Sequence, residues 1–188
     1  GNAHSDCVTT KQLTAIKAIY DAPIIDGRRI FAGFPYGGEH IPGGWQASVV
    51  STDGLSPRSE FAIDFYQNFV FSDPYWDYTQ YDFANWKKDV AQVSAMLDAT
   101  STDLSQFKER NGRIIFWTGW SDHLITALGT IEYYDKLTAA DPDADEYSRL
   151  YMLPGTLHCA GGPGPDRADW LEAIRAWVED GKAPERLV

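Results

Sequence analysis

The sequence predicts an α/β fold in which part of an open parallel sheet is joined to a long irregular segment. From residue 98 onwards, helical and strand patterns alternate in the order helix, strand, helix, strand, helix. The two strand candidates, 113–118 and 149–153, are short apolar runs, which is typical of strands buried in a parallel sheet. Residues 1–97 show no such alternation and are rich in glycine, proline and aromatic residues. We therefore assign 1–97 and 98–188 to two separate units.

The charge and the apolar content of the chain argue against two classes of partner, nucleic acids and membranes. The chain has 188 residues and a formal net charge of -11. That charge would repel a nucleic acid or an anionic membrane, so neither is expected as a partner. No apolar run approaches the ~18 residues of a membrane-spanning helix. The first seven residues are polar and unlike a signal peptide, and we expect them to lie within a longer chain.

The first unit opens with a helix and then loses its regularity. Thr9-x-x-Gln12 is a capping box before an amphipathic run, and this pattern predicts a helix that ends near residues 21–23. Residues 24–54 are rich in glycine and proline and follow no period. We interpret them as a loop with one short strand over 29–31.

Two further helices are predicted before residue 98. Ser56-Pro57 begins the first of them, because proline fits the first turn of a helix. Its apolar positions form a broad face that extends to Val70. An aromatic and acidic loop over 71–83 then leads to a weak helical pattern over 86–97.

The second unit supplies the regular elements. Thr102 is expected to cap a short helix that Asn111-Gly112 ends. The elements that follow are a strand over 113–118, a helix over 125–137, a polar loop over 141–146, a strand over 149–153 and a helix from Asp166 to Gly181.

Two polar residues follow the two predicted strands. Asp122 lies in Gly119-Trp-Ser-Asp after the first strand, and His158 lies in Pro154-Gly-Thr-Leu-His after the second. The carboxyl ends of parallel strands open into one crevice, so this Asp and this His could meet there. The alternatives are that Asp122 only caps a turn or helix, and that His158 is an ordinary surface residue. Asp before His is the chain order of acid and base in the α/β-hydrolase triad.

No nucleophile for such a triad is evident. None of the eleven serines is flanked by glycine between a strand and a helix. Asp141, Asp143 and Asp145 resemble the start of a calcium loop but lack its Gly and Glu, which favours a solvated loop. His123 is expected at the solvent or the rim of a pocket. A metal at His4, Asp6 and Cys7 is not expected, and no metal site is predicted in this chain.

Several aromatic residues on the loops are candidates for binding a ring-shaped or phenolic substrate, and the alternative is that they fill a small core. These residues are Phe34, Tyr36, Trp45, Tyr75, Trp76 and Tyr78. The two cysteines, Cys7 and Cys159, either form one bridge or pair with cysteines elsewhere, and their spacing does not decide between these.

Motifs spread along the chain resemble the tannase and feruloyl esterase family. The two most specific are Pro154-Gly-x-x-His-Cys-x-Gly-Gly162 and Trp177-Val-Glu-x-Gly-x-Ala-Pro184. The supporting motifs are Cys7-Val-Thr-Thr-Lys-Gln12, Gly33 through Glu39, Asp103-Leu-Ser-Gln-Phe107, Gly119-Trp-Ser-Asp122 and Tyr133-Tyr134.

The resemblance implies a secreted serine esterase with an α/β-hydrolase fold and a large lid. It implies that Asp122 is the triad acid and His158 the base. It also implies that Cys159 is bonded to a cysteine beside the nucleophilic serine, and Cys7 to a lid cysteine upstream. Residues 1–97 would be the later part of the lid. The serine, the oxyanion hole and the family's calcium site would lie in an N-terminal half that precedes this chain.

We therefore expect the C-terminal portion of an ester hydrolase that acts on gallate- or ferulate-type esters. Its partners would be the aromatic ester, with Phe34, Tyr36 and Trp45 as candidate contacts, and the N-terminal half of the same protein. We expect no cofactor in this chain and no activity from it alone. A second copy could pair with the exposed sheet edge. The alternatives are a non-catalytic aromatic-rich binding module, in which Asp122 and His158 lie apart, and a hydrolase with its nucleophile on another chain.

Overall fold

The computed structural model describes residues 7–187, so the predicted role of His4 and Asp6 lies outside the described residues. In this range the chain forms eight α-helices and four β-strands. The helices are α1 (Thr10–Tyr20), α2 (Trp45–Ser48), α3 (Pro57–Phe65), α4 (Trp86–Asp89), α5 (Ala91–Leu97), α6 (Ser105–Glu109), α7 (Ala127–Ala140) and α8 (Trp170–Asp180). The strands are β1 (Ile24–Ile25), β2 (Arg28–Arg29), β3 (Ile114–Gly119) and β4 (Ser148–Leu153).

The main sheet of the described region consists of β3 and β4, which are parallel and in register from Ile114 opposite Ser148 to Gly119 opposite Leu153. Helix α7 connects the two strands, as a parallel pair requires a crossover. Both strands therefore end at the same edge of the sheet. The alternation of helix and strand predicted for residues 98–188 is confirmed.

Helices cover both faces of this sheet. Successive strand residues point to opposite faces, and neighbouring Phe116 and Trp117 contact different helices. Phe116 packs on Tyr133 of α7 with ring centroids 5.5 Å apart, whereas Trp117 stacks on Trp170 of α8 at 5.2 Å. The sheet therefore lies between α7 and α8 in a three-layer arrangement.

The tightest packing lies on the α7 side. Leu137 of α7 is fully buried with Ala144 and Tyr147, which precede β4. Phe107 of α6 packs against this group, and its ring would lie 2.6 Å from a Cβ at Gly112. The turn that ends α6 is therefore restricted to glycine, and it positions the start of β3.

Helix α1 begins as predicted, with the Thr9 hydroxyl accepting from the Gln12 N–H at 3.3 Å and the Gln12 side chain accepting from the Thr9 N–H at 2.8 Å. The short strand expected over 29–31 is instead the second strand of a hairpin, with β1 and β2 antiparallel. Asp26 and Gly27 both have positive φ, 51° and 73°, which is typical of a two-residue turn joining such strands.

Helix α3 begins as predicted, with Ser56 as its cap and Pro57 in its first turn, but none of its residues is fully buried, and its helical form changes before Val70. Residues Tyr66–Val70 form a π-helical turn, and Phe71 closes it by donating to the Tyr66 carbonyl at 2.9 Å. The predicted loop over 71–83 then folds back on Tyr66. Trp76 stacks on Tyr66 at 5.1 Å, and Tyr81 packs edge-on at 5.2 Å. These aromatic rings form a local cluster that packs the 71–83 segment against the end of α3.

Several predicted boundaries were wrong. Helix α6 begins at Ser105 and is not capped by Thr102 as predicted, because the Asp103 carboxylate accepts the Ser105 N–H at 3.1 Å. The weak helix over 86–97 is two helices, which meet at Val90.

The two helices beside the sheet also begin later than predicted. Helix α7 begins at Ala127 with Thr126 as its cap, because the Ile125 N–H is bonded to the Asp122 carboxylate. Helix α8 begins at Trp170 with Asp169 as its cap. Asp166, predicted to open α8, instead accepts the Gly161 N–H at 2.8 Å.

Cys7 and Cys159 are both free and exposed. Their pairing with cysteines upstream stays a prediction. No helix within residues 7–187 is long and apolar enough to cross a membrane.

Candidate active site

Asp122 follows β3 in a tight turn and is almost completely buried, with 7% of its surface exposed. One carboxylate oxygen, Oδ1, accepts the N–H groups of Leu124 and Ile125 at 2.8 and 2.9 Å. The other oxygen, Oδ2, lies 2.9 Å from Nδ1 of His158. The two interpretations of Asp122 are therefore not exclusive, because one oxygen closes the turn while the other contacts the imidazole.

The turn that carries Asp122 is bonded to the loop that carries His158. The Ser121 N–H donates to the Thr156 carbonyl at 3.0 Å, and Thr156 is fully buried. A Cβ at Gly119 would lie 2.2 Å from that same carbonyl oxygen and 2.6 Å from the oxygen of Leu157. Only glycine at the end of β3 lets the two loops approach this closely.

The glycines after His158 fold its loop back on itself. The Leu157 N–H donates to the Gly161 carbonyl at 3.0 Å. Gly162 has φ of 90°, and a Cβ on it would lie 2.2 Å from the Gly155 oxygen. The backbone on both sides of His158 is thus held by hydrogen bonds and close contacts, which directs the ring toward Asp122.

The contact with Asp122 determines which ring nitrogen of His158 carries the proton. An ionised carboxylate only accepts hydrogen bonds, so Nδ1 must donate to it. In the neutral ring Nε2 is then an acceptor. The His158 side chain is 39% exposed, whereas that of Asp122 is 6% exposed. The arrangement can therefore accept a proton at Nε2 and stabilise the resulting positive charge from a buried carboxylate.

His123, expected at the solvent or a pocket rim, is instead buried, with 6% of its surface exposed. The turn that positions Asp122 directs the next side chain inward. No described residue bonds to its buried Nδ1. Burial lowers the pKa of His123, since desolvation disfavours the charged ring. The negative charge of Asp122 opposes this effect, while the positive charges of Arg58 and His158 add to it.

Arg58 of α3 is a further charged residue whose charge interacts with that of Asp122. Its guanidinium carbon lies 4.5 Å from the ring centroid of Phe34. Burial lowers the pKa of Arg58, and the negative charge of Asp122 opposes this. Sequence reasoning missed this residue. A signal was present, because a cation in the first turn of a helix is disfavoured by the helix dipole and calls for a separate explanation.

The three aromatic candidates for substrate contact separate into two groups. Phe34 packs against the guanidinium of Arg58. Tyr36 and Trp45 pack on Tyr20 instead, with ring centroids at 4.6 and 5.2 Å. The role of all three in binding stays a prediction.

The loop that contains Phe34 lies against the Asp122 turn. The Thr126 hydroxyl donates to the Gly33 carbonyl. At the other end of this loop, a Cβ on Gly38 would lie 2.8 Å from the Cβ of Ser121. The loop over 33–38 thereby contributes directly to the surroundings of Asp122.

Two of the three aspartates that resemble the start of a calcium loop are paired with a lysine of the chain. Lys108 donates to both Asp141 and Asp143 at 3.1 Å. A backbone N–H from Asp143 and the ammonium of Lys108 lower the pKa of Asp141. Within residues 7–187, no group of three or more His, Cys, Asp or Glu side chains is arranged to hold a metal ion.

The fold is shared with solved structures. An esterase from Aspergillus oryzae superposes with a TM-score of 0.81 at 24% identity, over 100% of this chain and 40% of that one. The tannin acyl hydrolase from Aspergillus niger superposes with a TM-score of 0.72 at 21% identity, over 95% of this chain and 36% of that one.

Sequence comparison gives the family. An uncharacterized esterase of Xanthomonas campestris is 33% identical over 99% of this chain and 40% of its own length. Mono(2-hydroxyethyl) terephthalate hydrolase of Piscinibacter sakaiensis is 49% identical over 47% of this chain and 15% of its own length. Feruloyl esterase C of Talaromyces stipitatus is 28% identical over 100% of this chain and 38% of its own length. The chain thus spans well under half of these relatives. Because the family model described as "Tannase and feruloyl esterase" matches residues 1–188, the chain belongs to the tannase and feruloyl esterase family.

Proposed function

We propose that this chain is the C-terminal part of a serine carboxylic ester hydrolase and supplies its catalytic acid and base, Asp122 and His158. The observation that carries the proposal is the 2.9 Å contact between Asp122 Oδ2 and His158 Nδ1, at the carboxyl ends of adjacent parallel strands. Active sites of open α/β sheets lie at that edge. The alternative of a non-catalytic binding module expects these two side chains to lie apart, and their contact argues against it.

The mechanism is acyl transfer to a serine that precedes this chain in the whole enzyme. His158 accepts the serine proton at Nε2 as the hydroxyl attacks the ester carbonyl, and later returns it to the leaving alcohol. Asp122 holds the ring in the tautomer with a proton on Nδ1 and stabilises the imidazolium. Water then attacks the acyl-enzyme with His158 again as base. Support for an upstream serine is that no described serine is hydrogen-bonded to His158 and that the chain spans about 40% of its relatives.

The substrate is an ester of an aromatic acid. The relatives are named for feruloyl and terephthalate esters, and one structural neighbour for tannin. Residues 1–97 would act as the later part of a lid, with Phe34, Tyr36 and Trp45 as contacts for the aromatic ring. Arg58, which the structure brings to Phe34, adds a cation to that surface.

The remaining features of the proposal concern the rest of the enzyme. Cys159 would be bonded to a cysteine beside the serine, which would hold base and nucleophile together, and Cys7 would be bonded to a cysteine in the preceding lid segment. A calcium ion would be bound in that preceding segment. The enzyme would be secreted, which suits its disulfides. The open edges of the two-stranded sheet would pair with further strands of the N-terminal half or with a second copy.

The test is hydrolysis of a phenolic acid ester by the full-length enzyme that contains this chain. Changing His158→Ala or Asp122→Asn should lower kcat by about 10³- to 10⁴-fold, whereas the exposed His40→Ala should stay near wild type. The isolated 188-residue chain should give only background turnover. A kcat within about tenfold of wild type in both site variants would refute the assignment, because loss of a triad acid or base lowers kcat by far more than that.

A further inference from the structure

A cavity of about 650 Å³ lies beside α7, and neither Asp122 nor His158 lines it. Its walls come from four parts of the chain: the end of the β1–β2 hairpin, the start of α4, residues 98–100 and one face of α7. Ligand sites of proteins usually have volumes of about 300–1,000 Å³. The cavity is therefore large enough for a ligand and is separate from the site described above.

Three aromatic side chains from different elements line this cavity. Phe31 follows β2, Trp86 begins α4, and Tyr133 lies on α7. Phe31 is 57% exposed although it is a large apolar residue, and the other two are half-buried. Rings that stay accessible in a cavity provide flat apolar surfaces on which a ligand can lie.

Contacts within the chain hold two of these rings in place. A Cβ at Gly129 would lie 3.3 Å from the Phe31 ring, so the glycine lets this ring lie close against α7. The Tyr133 hydroxyl donates to the Ser101 carbonyl at 2.9 Å, which ties the segment before α6 to the same helix. The walls of the cavity are thus formed before any ligand binds, which lowers the cost of ordering them on binding.

The charged side chains that line the cavity balance each other. Two are cations, Arg29 and Lys136, and two are anions, Asp98 and Glu132. Arg29 and Glu132 form an ion pair that joins the hairpin to α7. The cations can only donate hydrogen bonds and the carboxylates can only accept them. A ligand that carries a net charge gains nothing from this set, whereas hydroxyl groups, which both donate and accept, can bond to either kind.

We propose that this cavity binds a neutral saccharide. A sugar ring has an apolar face of C–H groups, which suits Phe31 and Trp86, and a rim of hydroxyls, which suits the four charged side chains. A simple phenol has too few hydroxyls to use these groups. Gly129 lies three residues beyond the Thr126 cap, or about 5 Å along the helix axis, so a bound saccharide is held near the loop that carries Asp122. The proposal does not depend on the proposed function.

The first experiment is calorimetric titration of the full-length enzyme with cellohexaose, xylohexaose and mannohexaose, which contain no ester. At least one should bind, and Phe31→Ala and Trp86→Ala should each weaken that binding by about tenfold. Phe69→Ala is the matched control, because Phe69 is 63% exposed and lies outside the cavity, and it should bind as wild type does. The absence of binding by all three sugars, or equal affinity in Phe31→Ala and wild type, would overturn the proposal. So would tighter binding of the charged hexagalacturonate.

The second experiment separates this site from the active site and from effects on folding. Lys136 is exposed, so Lys136→Gln should melt like wild type and should still bind the saccharide severalfold more weakly. His158→Ala should bind it with unchanged affinity, and a loss of binding there would place the saccharide at the active site and overturn the proposal. If Phe31-dependent binding is seen in an enzyme that hydrolyses no phenolic ester, the proposed function fails and the saccharide site stands.

Discussion

The Asp122 carboxylate provides a prediction whose size can be worked out from its contacts. It accepts three hydrogen bonds, two from backbone N–H groups at Oδ1 and one from His158 at Oδ2. Asp122→Asn can keep both backbone bonds through its amide oxygen. Its NH₂ group would face Nδ1 of His158, and this bond survives only if the ring shifts its proton to Nε2. Asp122→Ala loses all three bonds and leaves two partly buried N–H groups without their acceptor.

The expected losses of stability follow from these contacts. Exchanging the charge-assisted bonds for neutral ones in Asp122→Asn should cost about 1 kcal/mol. Removing all three acceptor contacts in Asp122→Ala should cost about 3 kcal/mol. For a chain of this length, 1 kcal/mol lowers Tm by about 2–4 °C, so the two variants should melt roughly 3 °C and 9 °C below wild type.

Urea denaturation and calorimetry of the 188-residue chain measure these differences. Asp135→Asn is the matched control, because Asp135 is exposed on α7 and should change the free energy of unfolding by less than about 0.5 kcal/mol. If Asp122→Ala is no less stable than Asp122→Asn, the carboxylate does not close the turn. If all three variants melt together, Asp122 makes none of the contacts described here.

Three further predictions concern the surroundings of the site. Gly119→Ala should cost about 3 kcal/mol or more in unfolding free energy, because its Cβ would meet the Thr156 carbonyl, and an unchanged urea midpoint would contradict the close approach of the two loops. Burial lowers the pKa of His123, so at a pH below the ordinary histidine pKa the unfolded chain binds a proton at this ring more readily than the folded chain does, and stability should decrease there. Urea titrations at several pH values should show a smaller decrease for His123→Gln and an unchanged decrease for the exposed control His40→Gln. Leu137→Ala should cost about 2–5 kcal/mol by calorimetry, because the side chain is fully buried, and a loss below 1 kcal/mol would place the core elsewhere.

Much of the local structure could be predicted because it depends on neighbours in the sequence. The Thr9–Gln12 box and the Gly181 stop are recognised within one turn of a helix, and both are present as predicted. The strands β3 and β4 were recognised from their apolar and aromatic content. The meeting of Asp122 and His158 followed from a general property of parallel sheets, that their strands end at one edge.

What could not be predicted depends on contacts between distant parts of the chain. Helix α7 begins later than predicted because the Asp122 carboxylate accepts the N–H groups of Leu124 and Ile125. A capping pattern in the sequence does not show that a side chain will bind these N–H groups. His123, predicted to face solvent or a pocket rim, is buried instead, and no pattern of neighbouring residues in the sequence indicates that. Arg58 packs on Phe34, whose loop is bonded to Thr126 near the turn after β3, and no local pattern encodes these contacts.

The central claim is that His158 is oriented by Asp122 to act as a base through Nε2. Nitrogen-15 NMR of the imidazole rings tests it most directly, because the shifts of the two ring nitrogens identify which one carries the proton in the neutral ring. The account predicts a proton on Nδ1 of His158 in the wild type and its transfer to Nε2 in Asp122→Asn. A proton on Nε2 in the wild-type ring, or a tautomer that Asp122→Asn leaves unchanged, would contradict it.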